Sequence, residues 1–391
     1  MINQLLEKAA TATEQENWSL ANQYLQQLSL EKAGQFQQAL DIALKVLERG
    51  DFRERWDVAK IFPKFGQIAI SPLIEILEDE EADLEQRWFA GRILGEFNHP
   101  EAIATLVNLL KTTEDEDLAA IAAQALANLG KSSIEALTSL LSQPDSRLLA
   151  TCSLAQIRRP EAIAPLLTTV KDRDVAVRST AIEALSSFHD PRIPPVLIEA
   201  LNDKAATVRK EAVIGLGVRT DLAAQLDLLN HLKPRLYDFN LEVCQQAAIA
   251  LGRLGTDRAA AALFAVLQSP ATPIPLQVTL IQALGWMETA ASLQYLQQSL
   301  SLVAGESVLE IVRVLGRIGS GSLKAKAAQI LLDFFGSRHP IVEAIAIKQA
   351  LANAWGQLGE ESAVKPLLQL REDAEARVRW QAIAALKHFS I

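Results

Sequence analysis

Long apolar runs, paired cysteines, basic stripes and strand-like alternation are all missing from this sequence. No uninterrupted apolar run in its 391 residues approaches the ~20 that a bilayer-spanning helix needs, so no membrane insertion is expected. The opening MINQLLEKAATATEQENW carries acids early and lacks an apolar stretch, so no secretory leader is expected either. Only 2 cysteines occur, Cys152 and Cys244; they exclude a disulfide framework and fit a reducing, cytoplasmic setting. The formal net charge of -9 argues against a nucleic-acid partner, which selects for basic surfaces. Sequence signatures of the serine-elbow, zincin, phosphate-loop, dinucleotide and EF-hand types do not occur, and no catalytic residue is assigned.

What the chain does contain is helical periodicity from one end to the other, built on Leu, Ala, Glu and Gln. The periodicity is also self-similar. VAVRSTAIEAL from Val175, ATVRKEAVIGL from Ala206 and ARVRWQAIAAL from Ala376 repeat one pattern, an apolar helix with an arginine in its first turn. Placing that position throughout gives Arg55, Arg87, Ala122, Arg147, Arg178, Arg209, Cys244, Gln277, Val308, Lys348 and Arg379. Most neighbours are about 31 to 35 residues apart, the span of one helical hairpin. After many of them comes a glycine, as in ALGRLG and VLGRIG, and then a second apolar helix with an early proline, as in EAIAPLLTTV or AVKPLLQL. Proline in a first helical turn loses no hydrogen bond and marks where that helix begins. Such a hairpin cannot bury its apolar stripe alone, so about eleven of them must stack into an all-α solenoid. Residues 1–50 lack the pattern and are expected to form a helical N-terminal cap; residues 51–391 form the array.

The arginine beside a buried face needs a partner. Asp172 lies six residues before Arg178, Asp203 before Arg209, Asp373 before Arg379 and Glu81 before Arg87. Such an acid can cap the helix, while the arginine is placed to meet the acid of an adjacent repeat. The expectation is an Asp–Arg ladder running through the stack, made of Asp172, Arg178, Asp203, Arg209, Asp373 and Arg379.

An acid, then Val-Arg, then Ala-x-x-Ala-Leu, then a Pro-Leu-Leu helix resembles the HEAT repeat, and more narrowly the short HEAT-like repeat of phycobilisome lyases. The resemblance covers residues 51–391. It implies a right-handed superhelix with the first helices on the convex side and the second helices lining the concave side. It also implies a choice of functions. Relatives of this kind include protein-binding scaffolds without activity, lyases that attach bilins to phycobiliproteins, and a cyanobacterial partner of an A-type iron–sulfur scaffold. Fold alone does not separate them.

The leading expectation is a non-enzymatic scaffold that binds another protein without a cofactor; the alternatives are a bilin lyase and an iron–sulfur partner. The stretch LDLLNHLKPRLYDF places His231, Lys233, Arg235, Tyr237 and Asp238 near the middle of the array, a cluster suited to a partner or an anionic ligand. Cys244 enters only under the iron–sulfur alternative, since no second ligand accompanies it. Trp56, Trp88 and Trp380 each follow an anchor cation and are expected to stack on it or fill the core. Trp286 and Trp355 stand next to glycines and are expected to fill the space these leave. The acidic loops EDEEADLE and TEDEDLAA belong to neighbouring repeats and read as solvated helix N-termini or a contact for a basic partner.

Overall fold

The computed structural model describes residues 2–28, 33–337 and 339–389. Residues 1 and 29–32 of the expected cap, and 338, 390 and 391 of the expected array, lie outside the described ones. Among the described residues there are helices and turns and no strand. The chain forms two compact units, Met1–Phe188 and His189–Ile391.

Both units are stacks of helical hairpins, the α-solenoid arrangement. The first unit begins with three helices, Ile2–Glu14, Trp18–Gln26 and Ala33–Arg49. Hairpins follow from first helices at Phe52–Ala59, Leu84–Leu94, Glu116–Leu129 and Arg147–Gln156, and the unit closes with the first helix Val175–Ser186. The second unit opens on the second-type helix Ile193–Ala200. Its first helices are Ala206–Gly217, Leu241–Leu254, Ile274–Met287, Glu306–Gly316, Ile345–Leu358 and Ala376–Leu386.

Local chemistry sets where the helices start. Asp51 and Glu54 form a reciprocal capping box at Phe52–Ala59. Asp115, Asp174 and Asn240 accept backbone N–H bonds in the first turns of their helices, and each such cap contributes about 1 kcal/mol. The histidines of the turns do the same work: His99 and His339 accept from the amides of Glu101 and Ile341 through Nδ1. Glu288, held at φ 44, ends Ile274–Met287, and its carboxylate accepts from the amides of Gly319 and Ser320 at 3.0 and 2.9 Å. One hairpin thereby caps the second helix of the next.

The glycines after the anchors lie where consecutive first helices approach most closely. A Cβ added to Gly217 would fall 2.7 Å from that of Ala250, and one added to Gly316 would fall 2.6 Å from the Cα of Ala354. Gly95–Ala125, Gly252–Ala283 and Gly356–Ala385 repeat the contact. At these five positions glycine on one helix faces alanine on the next, while Gly285 faces Val314, and the spacing of the stack depends on that match. Gly316→Val is therefore expected to force two helices apart and lower stability by about 2–3 kcal/mol, the scale of core overpacking. An unchanged thermal midpoint would show that the contact is not close.

The tryptophans divide. Trp355 is fully buried, edge-on to Phe335 at 5.5 Å. Trp286, expected to fill space in the same way, is 58% exposed. The reason is phase. Trp355 precedes its glycine and Trp286 follows its own, so their side chains leave the helix about 200° apart relative to the glycine. Trp56 stacks on Phe52 and lies 4.3 Å beneath the guanidinium of Arg92, a cation–π contact with a residue of the next first helix rather than its own anchor. Trp88 meets Phe89 edge-on. Trp380 is 69% exposed and fills no core.

Candidate binding surfaces on the second helices and the loop edge

Each anchor side chain occupies the same slot at the start of a first helix. In Arg147, Arg178, Arg209 and Arg379 a donor reaches a backbone carbonyl six residues upstream, where the preceding helix has ended. Arg178 donates to the carbonyls of Asp172 and Arg173, Arg209 to those of Asp203 and Lys204, and Arg379 to those of Asp373 and Ala374. The acid six residues upstream therefore gives its own arginine a main-chain oxygen, and the carboxylates of Asp172 and Asp373 turn to the cation of the preceding hairpin. Arg147 Nη1 donates to Asp172 at 2.8 Å, and Lys348 Nζ donates to Asp373 at 3.0 Å. Arg55 donates to Asp83 at 2.6 Å and to Glu85 at 3.0 Å. Glu81 is not the acid of this layer: Arg87 donates instead to the carbonyl of Leu77.

The tightest rung joins Arg209 and Asp238. Nε and Nη2 donate to the two carboxylate oxygens at 2.8 and 2.6 Å, and the side chains are only 12% and 4% exposed. Burial pushes the Asp238 carboxyl up, but the bonds from Arg209 and from the amide of Asn240 outweigh it and hold the group below the usual carboxylate range. The hydrogen bond to Asp238 raises Arg209 in turn. At the next anchor the cation is replaced. The Cys244 thiol donates to the carbonyl of Asp238, the same slot filled by a smaller group. One hairpin further, Gln277 donates to the carbonyl of Thr272 and accepts from the Ser307 hydroxyl at 2.7 Å, a neutral rung.

The five residues picked out between His231 and Asp238 do not form one cluster. Asp238 belongs to the rung just described. Arg235 donates to the carbonyl of Leu201 and lies 3.8 Å from Asp238, so it too is held inward. His231, Lys233 and Tyr237 are exposed. The structure adds Phe239, wholly exposed in the following loop. Its position corresponds to Arg173, Lys204 and Ala374 in other repeats, each directly after the ladder acid. A repeat alignment exposes that exchange of charge for aromatic surface.

The second helices of the first unit carry a concavity. A groove of about 910 Å³ runs between Pro100–Thr112 and Lys131–Leu140. Ile103, Ala104, Val107 and Ala136 form its floor, with Asn98, Asn108, Lys111, Lys131 and Glu135 among its polar rim. A smaller groove of about 280 Å³ in the second unit lies between Ala290–Ser299 and Gly321–Gly336, lined by Leu300, Ile330 and Phe334.

Charge is distributed unevenly. Residues 1–188 hold 28 acids against 18 lysines and arginines, and residues 189–391 hold 19 against 20. Most of the excess falls in residues 75–117, with 13 acids and 3 bases. Several of these acids have structural duties: Asp83 and Glu85 hold Arg55, and Asp115 caps a helix. Glu78, Glu80, Glu81, Glu114, Glu116 and Asp117 remain exposed.

Burial pushes both thiols up, that of Cys152 and that of Cys244, away from reactive thiolate character. Among the described residues no three His, Cys, Asp or Glu side chains come together as a metal site. No helix of the described residues is long and apolar enough to cross a membrane.

Comparison with known proteins supports the fold. The profile of the HEAT repeats matches residues 70–152 and 134–217. Kap95p, in a structure with RanGDP, is similar at a TM-score of 0.55 and 10% identity over 95% of this chain and 58% of its own. Importin beta is similar at a TM-score of 0.53 and 15% identity over 97% of this chain and 59% of its own. This chain therefore spans little more than half the length of those two solenoids. Human deoxyhypusine hydroxylase aligns at 20% identity over 69% of this chain, with a TM-score of 0.29. No curated protein matches the sequence.

Proposed function

We propose that this protein is a non-enzymatic binding scaffold that holds a partner protein on its second-helix surface and adjoining loop edge, in a cytoplasmic setting. The observation that carries this reading is the groove between Pro100–Thr112 and Lys131–Leu140, with its aliphatic floor and polar rim. An apolar floor supplies the area that drives association, and rim amides and charges fix the orientation of what binds. Stacked hairpins offer such grooves in series, which suits a long contact more than a single pocket. Kap95p, of similar fold, binds RanGDP in the structure compared above.

Bilin transfer, the other function implied by the resemblance in sequence, calls for arginines on propionates and for aromatic walls. This groove offers Lys111 and Lys131 over Ile103 and Val107. The residues favour a scaffold.

A photo-crosslinking amino acid at Ala104, in the groove, is expected to capture a discrete partner from native lysate. The same group at Gln124, exposed on a first helix, is expected to capture none. Ala104→Trp, which fills the groove, should weaken that partner at least roughly tenfold with the thermal midpoint unchanged. Equal capture at both positions, or none at Ala104, would overturn the scaffold reading.

A further inference from the structure

Tyr237, Phe239 and Leu241 flank the short turn between the 3₁₀ helix Lys233–Tyr237 and the helix Leu241–Leu254 and are 62%, 107% and 38% exposed. The residues between them turn inward and are fixed. Asp238 receives two bonds from Arg209 and one from the amide of Asn240, and Asn240 caps Leu241–Leu254 through the amide of Val243. The Cys244 thiol holds the Asp238 carbonyl from beneath. Three apolar side chains are thus displayed on a backbone that the ladder keeps in place. Covering a rigidly displayed aromatic side chain costs little conformational entropy, which is why such residues dominate binding energies.

The carboxylates beside them are each engaged. Asp203 accepts from the amide of Ala205, Asp238 is paired with Arg209, and Glu242 lies 3.4 Å from Lys210. Lys204, at the position of Phe239 one repeat earlier, and Lys233, four residues before Tyr237, are exposed and make no ion pair among the described residues.

We propose that this loop docks a short acidic segment of a partner protein, one in which apolar side chains stand beside carboxylates. The apolar residues would cover Phe239 and Tyr237, and the carboxylates would face Lys204 and Lys233. This inference rests on the scaffold reading and specifies one segment of the partner.

A random peptide library displayed on phage, selected on the immobilised full chain, tests it. Enrichment of peptides rich in Asp and Glu beside Leu, Ile or aromatic residues is expected. The enriched peptide, labelled and titrated by fluorescence anisotropy, should bind Phe239→Ser roughly 30-fold more weakly, the scale of a hot-spot residue. The double variant Lys204→Glu, Lys233→Glu should bind roughly tenfold more weakly, with wild-type binding weakening as salt rises. Phe239 has no buried contact to lose, so the thermal midpoint should not move. Enrichment of Lys- and Arg-rich peptides, equal binding by Phe239→Ser, or preferential binding of a single-stranded oligonucleotide would each overturn the proposal. Peptides lost only on Ala104→Trp would overturn it and leave the scaffold reading intact. No enrichment at all would overturn it too, and the capture at Ala104 would then decide the scaffold reading separately.

Discussion

Arg209→Met is expected to lower the free energy of unfolding by about 3 kcal/mol, because it leaves the Asp238 carboxylate buried without its partner. Asp238 is 4% exposed and receives two guanidinium bonds. Its remaining interactions, the Asn240 amide and an arginine at 3.8 Å, do not replace them. Urea unfolding measures the loss, and Arg209→Met combined with Asp238→Leu should recover most of it by removing the stranded charge. Arg192→Gln is the control. That arginine pairs with Asp190 on the surface, at 54% exposure, and its loss should leave the unfolding curve in place. The effect of Arg209→Met also carries a sign in pH. The folded pKa of Asp238 is depressed, so the stabilisation is complete above the unfolded carboxyl value of about 4 and fades as pH falls through the lower folded value. Wild type and Arg209→Met should therefore differ fully at neutral pH and converge in strong acid. A constant difference down to the acid transition would assign the loss to packing instead of charge.

Trp355→Ala is expected to cost about 3–5 kcal/mol, the range for deleting a buried aromatic side chain. Trp355 is wholly buried in Ile345–Leu358 and meets Phe335 of the preceding second helix edge-on. Its indole N–H has no hydrogen-bond partner among the described residues, so Trp355→Phe removes an unsatisfied donor along with part of the volume and should cost markedly less. Because stacked hairpins exchange stability with their neighbours, the loss should be regional. Hydrogen exchange is expected to quicken first in Gly321–Gly336 and Ile345–Leu358, with Phe52–Ala59 unchanged. Uniform quickening across the chain would show one cooperative unit.

These effects differ in how far the sequence announced them. The arginine and its upstream acid recur in plain text, and the hairpin period follows from them. The direction of the bonds did not. Asp172 lies nearest Arg178 in sequence, but its carboxylate serves Arg147, because the first helices advance by one layer between acid and anchor. Glu81 was matched to Arg87 by spacing alone, and only the fold shows that Asp83 and Glu85 hold Arg55. The candidate site suffered from a similar ambiguity. His231, Lys233, Arg235, Tyr237 and Asp238 are close in sequence, but the helix Leu228–Leu232 and the 3₁₀ helix Lys233–Tyr237 send them to different sides, two into the stack and three to solvent. The groove beside Val107 could not be read at all, since it depends on the separation of two helices whose apolar residues look like any others.

Because every charged rung joins the cation of one hairpin to the acid that opens the next, the stack has a phase as well as a direction. A deletion that runs from Asp203 to the residue before Asp238 brings Asp238 to the place of Asp203 and preserves the succession of acid, turn and first helix. A deletion of equal length shifted by half a hairpin would join a first helix to the wrong neighbour and break the glycine–alanine contacts. The chain can therefore be shortened or lengthened in whole hairpins with its internal matching preserved. That is a form of modularity written into side-chain bonds, and it would let contact length vary while the loop chemistry of each remaining layer stays as it was.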